Sequence, residues 1–184
     1  LTPIWFDTDT FMSSVEYRQE NEYSKLLADF AAVNNYESYT TKKRNTLSHF
    51  FAQFDLDLNF QDFESSDLSM SFKKVSKDTY LSIFNQYITR TNLRPGNFSQ
   101  LENKIVLNLD HENYLFESGL KAYDNLSVEK KSDRYQYILP YYSFSKNVSQ
   151  NYLTGNINFG SSGSNVLRNT NELQTRVINN FTYK

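Results

Sequence analysis

At 184 residues the chain could be one ordinary domain, yet its apolar content is unusual: 39% hydrophobic, 16% aromatic, with 15 Phe and 14 Tyr. So many rings argue against disorder, and a net charge of −2 lacks the polyelectrolyte signal that a nucleic-acid partner requires. The absence of Cys excludes a disulfide framework and thiolate metal ligation, and no apolar run reaches the ~18 residues of a transmembrane helix.

Leu1 to Phe6 reads as the end of a strand, turning at Asp7-Thr8-Asp9-Thr10. In Phe11 to Gln19, Phe11, Ser13, Val15 and Tyr17 alternate against Met12, Ser14, Glu16 and Arg18, the period-2 pattern of a strand with two unlike faces. Glu20-Asn21-Glu22 is a tight polar turn. Tyr23 to Asn34 alternates through Leu26, Ala28, Phe30 and Ala32, although Leu26, Leu27, Phe30 and Ala31 also fit a helical stripe. Asn35 to Asn45 is a polar loop ending in Lys42-Lys43-Arg44. Leu47 to Leu58 shows the same ambiguity as 23–34, and Asp55 and Asp57 at every second place favour strand. A turn at Asn59-Phe60-Gln61-Asp62 follows.

From Glu64, Leu68, Met70 and Phe72 alternate against Asp67, Ser69, Ser71 and Lys73, and the pattern breaks at Val75-Ser76-Lys77-Asp78 before the aromatic run Tyr80 to Phe84. An irregular segment passes through the turn signal Arg94-Pro95-Gly96-Asn97. Leu101 to Asp110 and Tyr114 to Ala122 then form the clearest hairpin, joined at Asp110-His111-Glu112-Asn113. Leu126 to Arg134 is a charged loop, and Tyr135 to Lys146 an aromatic strand containing Pro140. Asn147 to Asn151 turns, Tyr152 to Phe159 is a strand, Gly160 to Asn171 is a Gly/Ser/Asn loop, and Leu173 to Phe181 is the last strand.

The fold class expected is all-β, with one domain spanning residues 1–184 and no internal boundary. Period-2 strands suit either a soluble antiparallel sandwich or a membrane barrel. From Phe11 onward the expected connections run alternately short and long, which a barrel with short periplasmic turns and long outer loops explains and a sandwich does not. The chain opens on Leu1 and ends in mid-strand, so it is expected to be a fragment, and the missing signal peptide says nothing of export.

Chemistry-bearing patterns are few, and no catalytic, metal-binding or cofactor-binding residue is expected, nor an enzyme. His49 and His111 are the only histidines and lie in different hairpins; there is no HExxH, P-loop or GxSxG. Gly160-Ser161-Ser162-Gly163-Ser164 precedes a strand, lacks the helix N-terminus that holds phosphate, and reads as a flexible loop. Asp55 and Asp57 suit a hydrated lumen, Lys42-Lys43-Arg44 a solvated loop, and Phe11, Tyr17, Tyr23, Tyr114, Tyr123, Tyr152 and Tyr183 could belong to interfacial girdles. The sequons at Asn97, Asn125, Asn147 and Asn180 are what such a composition produces by chance.

Val75-Ser76-Lys77-Asp78-Thr79-Tyr80-Leu81 resembles the "VSDxxY(L/F)" segment of the LPS-assembly protein family LptD, also called organic solvent tolerance protein. In the same order, Leu1-Thr2-Pro3 resembles its "(L/I)TP" strand, Val15-Glu16-Tyr17-Arg18 its "EYR" strand, Tyr137-Ile138-Leu139-Pro140 its "YVLP", and Asn169–Glu172 before Arg176 its "G-T-(D/N)…R" hairpin. Lys77 departs from the family's usual acidic residue. The resemblance implies a Gram-negative outer-membrane barrel that receives lipopolysaccharide from periplasmic Lpt bridge proteins and delivers it to the outer leaflet. An LptE-like lipoprotein would plug that barrel, and outer-membrane lipid would surround it. It further implies an up-and-down transmembrane β-barrel of which this chain supplies about nine to ten strands of about 26. Its jellyroll and lateral opening lie elsewhere, so no site residue carries over. On this reading Phe72, Leu107, Phe116 and Val177 face lipid, and Lys73, Lys104, Lys121 and Arg176 face the lumen. The alternative is a soluble all-β binding module, with its tyrosines available to carbohydrate.

Overall fold

In a computed structural model, which describes residues 2–38, 42–128, 133–148, 155–168 and 171–183, the chain forms one antiparallel sheet. Its ten strands are hydrogen-bonded strictly in sequence order. They are β1 (Thr2–Trp5), β2 (Phe11–Glu20), β3 (Ser24–Glu37), β4 (Arg44–Asp57), β5 (Ser65–Val75), β6 (Gln100–His111), β7 (Tyr114–Asn125), β8 (Tyr135–Val148), β9 (Ile157–Arg168) and β10 (Leu173–Tyr183). The sheet is an up-and-down meander that is not closed: β1 and β10 are its edges among the described residues.

Both segments with a competing helical stripe are strands. Leu26 pairs with Phe54 and Ala28 with Ala52, so β3 and β4 align their apolar positions across the ladder, and that pairing outweighs the helix propensity of Ala and Leu. The expected loop 160–171 is corrected: Gly160 to Arg168 belongs to β9, and Gly160 to Ser164 are paired on both sides. Small side chains there make room for rings from β8. A Cβ on Gly163 would lie 2.5 Å from Tyr142 Cε1, so Tyr142 lies across the glycine of the strand it pairs with. The expected strand 152–159 is correspondingly reduced to its end, since Ile157 opens β9 and 152–154 lie outside the described residues. The Asn35–Asn45 loop also shortens, because β3 continues to Glu37 through a register shift between Val33 and Tyr36.

The pairs β1–β2, β3–β4, β5–β6, β7–β8 and β9–β10 follow one another at one end of the sheet, called here the loop end, and β2–β3, β4–β5, β6–β7 and β8–β9 at the other, the turn end. The expected alternation of lengths holds only in part: 58–64 is longer than 38–43, and 149–156 exceeds 169–172. The asymmetry comes from 76–99 and 126–134.

Register separates the side chains into two faces. On one, the cross-strand row runs Leu56, Leu68, Leu107, Ser118, Tyr142, Gly163, Val177. On the other it runs Gln53, Ser71, Lys104, Lys121, Ile138, Val166, Gln174. Segment 76–99 folds over the second face, named here the inner one. Phe72, Leu107, Phe116 and Val177 all lie on the outer face, and Lys73, Lys104, Lys121 and Arg176 on the inner. Among the described residues no second sheet covers the outer face: Phe50 and Phe72 touch each other, with ring centroids 5.9 Å apart, and stay 41% and 49% exposed.

Along the turn end, rings follow one another across the sheet. Successive centroids are 6.0 Å (Phe60–Phe63), 6.1 Å (Phe63–Tyr114), 5.8 Å (Tyr114–Phe144), 6.1 Å (Phe144–Phe159) and 4.8 Å (Phe159–Phe181) apart. Tyr114 thus belongs to an aromatic row. Tyr123 does not: it lies on the inner face, opposite Glu102, and donates to its carboxylate at 3.0 Å. Tyr152 is outside the described residues.

Candidate functional site

The inner face has two halves. Towards the turn end and the middle it is polar. A cavity of about 410 Å³ there is lined by Lys73, Glu102, Lys104, Glu117, Lys121 and Tyr141, among others. Lys104 and Lys121 stand directly opposite each other, and Lys121 Nζ lies 4.4 Å from the centroid of the Tyr141 ring. Asp55 accepts from Ser69 Oγ at 2.7 Å and from Gln53 Nε2 at 2.8 Å, while Asp57 faces Asp67 across the ladder. These groups suit a hydrated surface. Like charges set directly opposite cost stability unless water or a ligand screens them.

Towards the loop end the inner face is apolar and covered. β5 pairs with β6 only as far as Ser71 and Lys104. Beyond that point the strands part, and Asn103 Oδ1 takes the place of a ladder carbonyl by accepting from Lys73 N–H at 2.5 Å. The chain leaves β5 at Val75, turns back, and forms a one-turn helix, α1 (Tyr80–Ile83), then a 3₁₀ turn at Asn85–Tyr87. Thr79 gives α1 no side-chain cap, so packing rather than propensity holds so short a helix. Tyr80, Leu81, Phe84, Ile88 and Leu93 are buried against Met12, Ala31, Val33, Leu47, Phe51 and Val75 of β2 to β5. Phe6 adds edge contacts to Tyr87 at 5.0 Å, and Tyr36 to Phe84 at 5.9 Å. The aromatic run after the broken strand pattern is therefore a cap on the inner face.

Two polar networks pin this cap. In the first, Asp29 and His49 lie side by side on β3 and β4, fully buried. Asp29 Oδ2 is 2.8 Å from His49 Nε2, and His49 Nδ1 is 2.9 Å from Tyr80 Oη. A carboxylate can only accept, which makes Nε2 the donor; in the neutral ring Nδ1 then accepts from the Tyr80 hydroxyl. Arg90, from the far side of the cap, donates to Asp29 Oδ1 at 2.5 Å. Burial pushes the Tyr80 phenol well above its usual range, the Asp29 charge adds to this, and Arg90 opposes it. In the second network, Arg134 makes a fork on Asp78, with both nitrogens at 2.8 Å, and donates through Nε to Asp124 at 2.6 Å. Lys74 Nζ lies 3.6 Å from Asp124. Hydrogen bonding to Asp78, with Asp124 behind it, raises the guanidinium's pKa further, so it stays charged although its side chain is only 3% exposed.

The two histidines are far apart in role: His49 is buried in the first network, while His111 accepts from Asn113 N–H at 3.1 Å and stacks on Tyr114. Of the basic run, Arg44 opens β4 and lies 3.5 Å from Asp9. Gly160–Ser164 is corrected from a flexible loop to ladder. Asp29, Arg90, Asp124 and Arg134 were not singled out in the sequence. Asp29 alone carries a local signal, a carboxylate among the apolar inner-face positions Leu27, Ala31 and Val33 of β3; Asp124 has outer-face parity on β7, and Arg90 and Arg134 lie in connections. No family model matches the chain, and no curated protein or solved structure matches it either.

Proposed function

We propose that this sheet is a segment of a transmembrane β-barrel in an outer membrane, belonging to a protein that delivers lipopolysaccharide to the outer leaflet. One observation carries the membrane part. The outer face presents Val15, Tyr17, Phe30, Phe50, Phe72, Ile105, Leu120 and Val177 exposed, with no covering layer among the described residues, while the inner face is polar or capped. A soluble sandwich buries such a face against a second sheet; a barrel turns it to lipid and lines its interior with polar groups. The aromatic row at the turn end is what an interfacial girdle requires. The lipopolysaccharide part rests on the ordered motifs, with Asp78 and Tyr80 of Val75–Leu81 holding the cap in place. An LptE-like plug and Lpt bridge partners belong to the same proposal.

Residues 1–184 contain no Cys, so single cysteines introduced there report cleanly once any cysteine elsewhere in the full-length protein is replaced. In membranes of cells making the full-length protein, cysteines at Phe72, Leu107 and Val177 should react with a lipid-soluble maleimide and resist a charged one. Cysteines at Lys104 and Arg176 should show the reverse. Uniform reaction with the charged reagent, with the protein in the soluble fraction, contradicts the membrane assignment. Depleting the protein should trap newly made lipopolysaccharide inside the cell envelope; unchanged surface lipopolysaccharide contradicts the transport assignment.

A further inference from the structure

We propose that segment 76–99 is a built-in plug that closes the loop end of the inner face to solutes, with Arg134 as its catch. The inference rests on the membrane-barrel reading and assigns a gate to it. Three observations carry it. The plug sets Tyr80, Leu81, Phe84 and Ile88 against the apolar inner-face positions Met12, Ala31, Val33, Leu47 and Phe51 of β2 to β4, an apolar layer beyond the polar half of the inner face. An apolar constriction above a hydrated surface excludes ions and sugars because they would have to shed water there. Both flanks of the plug are tied to other hairpins by charge: Asp78 to Arg134 on the 126–134 connection, and Arg90 to Asp29 on β3. The plug leaves the sheet where β5 and β6 have already parted, so the ladder from Ser65–Asp110 to Ser71–Lys104 does not depend on it.

Arg134 is the catch because it binds two carboxylates from different elements, Asp78 in the plug and Asp124 at the end of β7. Losing it frees the root of the plug while the apolar contacts remain. The test uses the full-length protein in liposomes, with swelling in a small neutral sugar as the measure of passage. Replacing residues 78–97 by a short Gly/Ser linker should speed swelling severalfold, and Arg134→Gln should give an intermediate rate. Heat-dependent gel mobility identifies folded, inserted protein. An inserted linker variant that swells at the native rate overturns the plug. A protein that never inserts overturns the membrane reading instead, and the mobility assay separates the two.

Discussion

His49 Nε2 lies 2.8 Å from Asp29 Oδ2 with both side chains fully buried, and the far nitrogen of the same ring meets Tyr80 Oη at 2.9 Å. A residue of the irregular 76–99 segment thus completes a hydrogen-bond chain begun on β3. Tyr80→Phe keeps the ring and removes the hydroxyl, leaving His49 Nδ1 buried without a partner. An unmade bond at a buried polar group costs about 1–3 kcal/mol. The cap should open more readily, seen as faster tryptic cleavage at Lys77 and Arg90 and weaker amide-exchange protection across 76–99, with strand protection unchanged.

Tyr80 also makes the cap sensitive to alkali. Its phenol is held above the ordinary value of 10 chiefly by burial. Once the pH passes that ordinary value, a tyrosine in the opened segment gives up its proton while Tyr80 in the closed cap retains it. The closed state then binds more protons, so its stability is complete below the ordinary value and falls as the pH rises further. Cap opening followed by proteolysis should accelerate in alkali in the native chain, and Tyr80→Phe should remove that component. Identical pH profiles would contradict the assignment.

Arg134→Ala removes the shared partner of Asp78 and Asp124 and leaves the nearly buried Asp124 with Lys74 alone at 3.6 Å. Breaking one side of a buried ion network costs about 3 kcal/mol. Arg134→Lys keeps the charge but not the fork, so it should recover only part of the loss. Amide exchange across 76–99 should rank native, Lys variant, Ala variant in order of decreasing protection.

Two strand glycines should differ in their tolerance of a methyl group. At Gly119 a Cβ would lie 2.3 Å from the backbone oxygen of Ile105, which cannot move without bending β6. At Gly163 it would meet the Tyr142 ring at 2.5 Å, and a side chain can turn aside. Overpacking of this kind costs about 1–3 kcal/mol. Gly119→Ala should fall at the upper end and Gly163→Ala at the lower, measured by the urea midpoint of the sheet. Equal losses would show that Tyr142 is held as rigidly as the β6 backbone.

The strands and their two faces are legible in the sequence because a strand's side chains alternate by geometry alone. Leu68, Met70 and Phe72 lie opposite Ser69, Ser71 and Lys73 whatever the partner strand is. Alternation fails as a guide where small residues erase the contrast. Gly160 to Ser164 reads as loop until Tyr142 is seen lying across Gly163, a contact between residues on neighbouring strands. The cap is decided by tertiary structure alone. Asp29, His49 and Tyr80 lie on three different elements, and so do Asp78, Asp124 and Arg134. Nothing local in those residues encodes their meeting, which follows from the register of β3 with β4 and from the parting of β5 and β6. Tyr80 to Ile83 is helical for the same reason: a single uncapped turn is stable only where the inner face of β2 to β5 buries it.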